Sequence, residues 1–342
     1  MGNEQLLVLR GDDVQSLLIG QEQELIRTVQ KAYETYASSE RSLPHSTFLR
    51  FPEAPRNRII ALPAHLGNGF QAAGLKWIAS FPGNHELGLD RASAVVILNS
   101  TRTGRPEAII EGSIISAKRT AASAALAAQY LSNAADATRI GVIGCGVINF
   151  EIVRFLLSVY PQASRVVVRD VHADRAAFFQ KKCRNAFPGI EVEVADEVET
   201  ILRGCRLISF ATTALNPHIF DLSKCSPGST ILHISLRDLS PEVILSSDNI
   251  VDDVDHVCRA ETSVHLAQQI VGRRDFIRGT LADVTLGALP ARKDDHSLAV
   301  FSPFGLGILD IAVSDLVRKL SLQEGRGMFI ESFLPEPWAV EA

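Results

Sequence analysis

The stretch Ile140-Gly141-Val142-Ile143-Gly144-Cys145-Gly146-Val147-Ile148-Asn149 carries the sharpest chemical signal in the chain. An apolar run from Arg139 to Ile143 reads as a buried strand and leads straight into two glycines one residue apart. Gly144 permits a tight turn. Gly146 lacks a Cβ, so the backbone can approach a pyrophosphate, whose charge is favoured by the unpaired N–H groups opening the next helix. Val147 and Ile148 are the next residues of that opening. Asn149 replaces the third glycine of the dinucleotide fingerprint, at the position that packs helix against strand. A second buried run, Arg165 to Arg169, ends on Asp170. A carboxylate there accepts both adenosine-ribose hydroxyls and repels a 2′-phosphate, which favours NAD over NADP. Arg169 alternates to the other face, while Arg175 is within reach of the ribose. The plain alternative is a strand–turn–helix with a solvated Asp170.

Other side chains stand where their type is unusual. Lys76 lies in an apolar strand, Gly74 to Ile78, so it must face water or a polar cleft. Arg119 sits among small residues in an Ala-rich helix, Ile114 to Tyr130. A guanidinium there can grip a carboxylate through two parallel hydrogen bonds, although read alone it is an ordinary surface arginine. Its neighbour Lys118 reads as solvated. Asp238 follows a strand, Thr230 to Ile234, near the carboxyl edge where a parallel sheet places ligands. Within Arg237-Asp238-Leu239-Ser240-Pro241 it reads equally as a turn or capping aspartate. Thr212 and Thr213 follow the strand Leu207 to Ala211, as contacts for a nicotinamide ribose or as a capped turn. Ser302 is a weaker candidate. His45 and Arg50 are placed on a strand after Pro44. Cys145 is a small filler, since no histidine adjoins it in sequence.

These positions require a scaffold. Residues up to Glu111 read as mixed α+β: a helix from Glu22 to Ser38, then strands at 47–50, 58–62, 72–80, 93–98 and 106–111. From Arg139 to Val251, strands and helices alternate, the signature of a Rossmann-type doubly wound parallel sheet. A strongly apolar helix, Ile308 to Leu322, closes the chain. The fold class is therefore α/β, with the parallel sheet inserted in an α+β domain. The expected bounds are 1–124 with 310–342 for substrate binding and dimerisation, and 125–309 for the dinucleotide. A length of 342 residues fits two domains.

Composition narrows the class. Lys+Arg number 34 against 39 Asp+Glu, a formal charge of −5, which argues against nucleic acid as partner. No run of apolar residues is long enough to span a membrane. Five cysteines without a C-x-x-C pair point to reduced thiols and a cytoplasmic protein rather than a disulfide framework or a zinc site. The first residues lack the pattern of an export signal.

At Gly74-Leu75-Lys76-Trp77-Ile78, Arg91 to Asn99, Lys118-Arg119-Thr120-Ala121-Ala122, Ile234 to Asp238 and Phe301-Ser302-Pro303-Phe304-Gly305, the chain resembles the ornithine cyclodeaminase/mu-crystallin family. The likeness runs through essentially the whole sequence. It is strongest to the siderophore-associated branch, through GLKWIASFPGN, DRASAVVILN, ISLRDLSPEV and GALPARKDD. That resemblance implies a homodimer using NAD to oxidise N-(2-amino-2-carboxyethyl)-L-glutamate, whose imine hydrolyses to 2-oxoglutarate and L-2,3-diaminopropionate. It implies that Arg119 and Lys76 bind the substrate carboxylate, that Lys76 assists proton transfer, and that Asp238 is the catalytic acid/base. Arg50, and His45 when protonated, would bind a second carboxylate, with Arg58 adding cationic character. Deaminating members carry a glutamate where this chain has Ile60, which argues against ornithine as substrate. The alternatives are an ornithine cyclodeaminase, a ketimine or alanine-type dehydrogenase, and a mu-crystallin-like binding protein without turnover.

Overall fold

The computed structural model describes residues 5–38, 41–133, 137–336 and 338. The chain divides into two compact units. Met1–Gln21, Ser38–Ser116 and Gly307–Ala342 form the first; Glu22–Ala37 and Ala117–Leu306 form the second.

The first unit is built on one sheet. Its strands are β1 (Leu6–Leu9), β2 (Arg41–Ser42), β3 (Thr47–Arg50), β4 (Arg58–Leu66), β5 (Ala72–Ser80), β6 (Ala92–Asn99), β7 (Pro106–Glu111) and β16 (Met328–Ile330), in the order β16-β1-β7-β6-β5-β4-β2 with β3 also on β4. From β4 to β7 the pairing is antiparallel, as turns at 67–71 and 100–105 dictate for consecutive strands. The long helix α11 (Gly307–Glu324) covers β4, β5 and β6. It approaches closely because Gly74 presents no side chain: a Cβ there would lie 3.0 Å from Ile311 Cδ1. A short helix, α1 (Gly11–Leu17), packs beside β7 and α11.

The second unit is the doubly wound sheet the alternation predicts. Its strands are β8 (Arg139–Ile143), β9 (Arg165–Arg169), β10 (Glu191–Val194), β11 (Leu207–Phe210), β12 (Thr230–His233), β13 (Asp248–Val251), β14 (Ile277–Thr280) and β15 (Ala299–Ser302). The order is β10-β9-β8-β11-β12-β15-β13-β14, and every neighbouring pair is parallel. Strand order therefore reverses between β8 and β11, the crevice in which such sheets bind their ligands. Helices α4 (Val147–Val159), α5 (Ala173–Ala186) and α6 (Val198–Gly204) make the crossovers. Four short helices follow: α7 (Pro241–Leu245), α8 (Val254–Val257), α9 (Ser263–Val271) and α10 (Leu281–Thr285).

Two helices make the unit bounds differ from the expected ones. Helix α2 (Glu22–Ala37) groups with the parallel sheet because its apolar face packs against α4 and α10. Tyr33 Oη and Ser123 Oγ lie 2.8 Å apart, and Tyr36 Oη donates to Asp253 Oδ2 at 2.6 Å. Helix α3 (Ser113–Leu131) starts in the first unit and passes to the second after Ser116. The sequence predicts that this helix breaks at Ala135-Asp136-Ala137-Thr138; α3 ends at Leu131, and of the four residues Ala135 and Asp136 lie outside the described residues.

Candidate active site

The glycine loop sits at the carboxyl end of β8, beside β11. Gly144 has φ +94°, and a Cβ on it would lie 2.5 Å from the Ala211 carbonyl oxygen. This position needs glycine for the fold itself. Gly146 differs: φ is −100°, and a Cβ would meet nothing within 4 Å. The space above it is open, and α4 begins at Val147 with no side chain capping its N-terminus. Those first N–H groups can serve an anion, so the residues present fit a dinucleotide pyrophosphate. Asp170 closes the other side. Its Oδ2 accepts the Cys145 N–H at 2.8 Å and its Oδ1 the His172 N–H at 3.0 Å, which fixes the carboxylate at the end of β9. Burial pushes the Cys145 thiol up to about 12, so it stays protonated, as befits a filler.

Asn149 repairs the missing third glycine. It is fully buried, donates from Nδ2 to the carbonyls of Ile143 (2.9 Å) and Gly144 (2.7 Å), and accepts from Ser209 Oγ at 2.7 Å. Hydrogen bonds thus tie α4 to β8 and β11, where a glycine would have allowed close contact.

Next along the crevice, Thr212 lies against Gly144, its Cγ2 3.2 Å from where a Cβ would stand. Its hydroxyl donates to Asp238 Oδ1. The same oxygen meets His218 Nε2 at 3.0 Å. Asp238 Oδ2 faces His233 Nε2 at 3.6 Å, and His233 Nδ1 lies 3.0 Å from Ser302 Oγ. Asp238 is fully buried. Burial opposes its ionisation, but the hydrogen bond from His218 and the neighbouring His233 outweigh that and hold the carboxyl far below the usual range. Glycine loop, Thr212, Asp238 and Ser302 are thereby joined, and the local-turn reading of Asp238 gives way to a buried cluster.

Arg119 is buried, at 8% exposure, and lies against Gly305: a Cβ on that glycine would stand 3.2 Å from Arg119 Nη1. The Gly305 loop is held by Asp252, at the end of β13. Asp252 Oδ1 accepts N–H groups from Asp253 (2.9 Å) and Phe304 (2.9 Å), and Oδ2 that of Gly305 (2.7 Å). Asp252 is buried, which pushes its carboxyl up to about 6 despite those three donors. Lys118 corrects the expectation of a solvated side chain. It is buried and donates to Glu151 Oε2 at 3.0 Å, a partner on α4 that sequence spacing does not reveal.

In the first unit, Lys76 is buried at 2% exposure, donating to Asp310 Oδ2 at 2.7 Å and to Ser116 Oγ at 3.2 Å. Register places Lys76 opposite Leu62, Ile78 opposite Ile60, and Ser80 opposite Arg58; Phe48 and Arg50 in turn oppose Ile60 and Arg58. Directly opposed residues share a face. One face thus carries Lys76, an apolar row of Ile78, Ile60 and Phe48, and a cationic row. Arg50 lies over the Phe48 ring, 5.4 Å from its centroid, and Arg91 Nε donates to Ser80 Oγ at 3.3 Å. Strands β3 to β6 contain no aspartate or glutamate. His45 falls before β3 rather than on it, and is exposed.

Asp310 and His218 are among the residues of these clusters that escape a reading of the sequence. Asp310 has a local signal, a single carboxylate within the apolar run Leu306 to Val313. His218 has none, because its partner Asp238 is twenty residues on and in another loop.

Comparison with known proteins agrees with this architecture. A sequence model of the ornithine cyclodeaminase/mu-crystallin family matches residues 5–325. The N-((2S)-2-amino-2-carboxyethyl)-L-glutamate dehydrogenase of Staphylococcus aureus is 27% identical over 335 residues, covering 95% of this chain and 98% of that protein. The alanine dehydrogenase of Archaeoglobus fulgidus is 28% identical over 339 residues, covering 96% and 98%. A solved archaeal alanine dehydrogenase dimer with bound NAD superimposes with a TM-score of 0.86 at 28% identity, covering 96% of this chain and 100% of that one.

Proposed function

The chain belongs to the ornithine cyclodeaminase/mu-crystallin family, and from that premise we propose that it is an NAD-dependent oxidoreductase cleaving the C–N bond of N-(2-amino-2-carboxyethyl)-L-glutamate. The products are 2-oxoglutarate and L-2,3-diaminopropionate, a precursor for siderophore or antibiotic assembly. The observation that carries this reading is the cationic face of the first unit. Lys76, paired with Asp310 from α11, and the Arg50–Arg58 row flank an apolar floor at Ile60, on strands that themselves carry no aspartate or glutamate. Arg50 and Arg58 stand directly opposite one another across β3 and β4 and together present two guanidinium groups suited to carboxylates. The conjugate carries three carboxylates; alanine and ornithine carry one. An amino group, which ornithine would bring to this face, is repelled there.

Each residue then has a task. Gly146, Val147 and Ile148 receive the pyrophosphate and Asp170 the adenosine ribose. NAD held there would supply the hydride acceptor for oxidation at the substrate α-carbon. Arg119 holds the α-carboxylate through its fork of donors. Lys76, set by Asp310 and Ser116, presents a fixed cation to a carboxylate, and that pairing supports a binding role over the expected proton transfer. The Asp238 cluster handles the protons. The dimer of the archaeal alanine dehydrogenase supports a homodimer here.

The test is NADH formation by the purified protein with NAD and the conjugate, with L-ornithine and L-alanine in parallel and products identified by mass. NADH with 2-oxoglutarate and 2,3-diaminopropionate from the conjugate alone is the expected result. Proline and ammonia from ornithine, or NADH from alanine alone, would overturn the assignment.

A further inference from the structure

Resting on the C–N-cleavage reading above, we propose that His218 is the catalytic base and acid of the hydrolytic half-reaction, and that Asp238 is its positioning carboxylate. Sequence reasoning places the proton on Asp238; the geometry moves it one residue outward. Asp238 is sealed, with no exposed surface, whereas the His218 side chain is 41% exposed on top of it. Of the residues around that carboxylate, His233 is also sealed, at 1%, the Ser235 hydroxyl oxygen is buried, and the Thr212 hydroxyl is turned inward to Oδ1. A proton exchanged with substrate or water must therefore pass through His218.

The backbone is built to hold this pair. His218 N–H and Ile219 N–H both donate to the Asp238 carbonyl, at 3.0 and 2.9 Å, and Ser240 N–H returns to the Ile219 carbonyl at 2.9 Å. Ile219 and Leu239 form a parallel β-bridge. This stitch clamps two otherwise irregular loops together and leaves the imidazole directly over the carboxylate. Because Asp238 Oδ1 takes the Nε2 proton, the neutral ring keeps its lone pair on Nδ1, the nitrogen pointing away from the buried carboxylate. The depressed carboxyl of Asp238 stays ionised across the working pH range and stabilises the imidazolium formed in turnover. The other charged groups near this segment are engaged elsewhere. Asp221 binds Ser223 N–H and Oγ, both at 2.7 Å, and Arg237 donates to the carbonyls of Ala260 and Glu261. His233 reaches His218 only through Asp238.

The chemistry balances. Loss of hydride from the α-carbon leaves the nitrogen pair in a C=N bond. Water adds to that carbon, its oxygen forming the new bond while the C=N electron pair returns to nitrogen and one water proton goes to His218 Nδ1. His218 gives this proton to the nitrogen, the C–N bond breaks with its pair on nitrogen, and the remaining hydroxyl proton leaves through His218 as the carbonyl forms. The sum is amine, NAD⁺ and water giving 2-oxo acid, primary amine, NADH and one proton.

The test uses His218→Gln and His218→Ala in the full chain. General acid–base catalysis is worth roughly 100- to 10,000-fold, so kcat falls by at least about 100-fold in both variants, while NADH affinity and Tm hold in His218→Gln, which keeps a donor for Asp238. Added imidazole restores part of the activity of His218→Ala, and the acid limb of the kcat–pH profile disappears in His218→Gln. Independently of turnover, nitrogen NMR of the parent shows neutral His218 protonated on Nε2, and Asp238→Ala shifts that tautomer. A His218→Gln enzyme within about threefold of the parent kcat, or a neutral ring protonated on Nδ1, overturns the proposal. A parent that makes no NADH from the conjugate, yet shows the expected tautomer and loses its turnover of another amine on His218→Gln, overturns the substrate assignment and leaves the His218 role standing.

Discussion

At the scale of single residues, the buried carboxylates differ in sign. Asp238 is held below its ordinary range by its histidines, whereas burial raises Asp252 to about 6 from 3.8. For Asp252 the folded protein binds the proton more tightly than the unfolded chain does. Its contribution to stability is fully present below the unfolded value and is lost as pH rises through about 6. Asparagine cannot ionise, so the stability of Asp252→Asn relative to the parent should improve by about 1.4 kcal/mol between about pH 5 and about pH 7.5, the part of the window above pH 5. Denaturant titrations of both proteins at about pH 5 and about pH 7.5 check this; a pH-independent difference would sink it. Arg58 makes a second residue-level case. Arg58→Gln should raise KM for the conjugate about tenfold or more, the worth of one charge-assisted hydrogen bond, with NADH affinity unchanged. An unaltered KM would remove the cationic row from substrate binding.

Elements show why glycine pairs in such loops are not equivalent. Gly144 is required by a positive φ and the nearby Ala211 carbonyl, Gly146 only by whatever occupies the open space above it. Gly146→Ala should therefore leave Tm within about 2 °C, as expected for a change without a named destabilising mechanism, yet weaken NADH binding at least about tenfold by blocking the pyrophosphate. Gly144→Ala should lower Tm as well. Equal NADH affinity in Gly146→Ala, measured by fluorescence titration, would contradict the fit. The two buried strands around this loop were legible because each is a short apolar run ending on chemistry, Gly144 or Asp170. The start of α4 was not. The helix begins at Val147, and its first two residues, Val147 and Ile148, are β-branched and of lower helix propensity, so the regular helical pattern in the sequence shows only further on, from Glu151 to Tyr160. Helices α7 to α10 are too short to show a period, and β15 sits between β12 and β13, out of chain order. Lys118–Glu151 and His218–Asp238 escaped for a related reason. Each pair is made by tertiary packing, and no spacing rule links its members.

At the scale of the whole molecule, chain order and spatial order separate. The chain enters the second unit for residues 22–37, leaves, and returns at 117. The stretch 117–306 holds the entire parallel sheet, the glycine loop and the Asp238 cluster, and it looks like a self-sufficient nucleotide domain. It lacks α2, whose Leu25, Ile26, Val29, Ala32 and Tyr33 are all at 3% exposure or less. Burying a large apolar side chain is worth roughly 1.5–3 kcal/mol. Losing that helix therefore removes about 10 kcal/mol, comparable to the net stability of a typical domain. Expressed alone, 117–306 should show no cooperative unfolding and no NADH binding. The same fragment with 22–37 fused ahead of it through a flexible linker should regain both. Cooperative melting and parental NADH affinity in the bare fragment would mean that α2 is an accessory, and that the dinucleotide unit owes nothing to the segment inserted from the other end of the sequence.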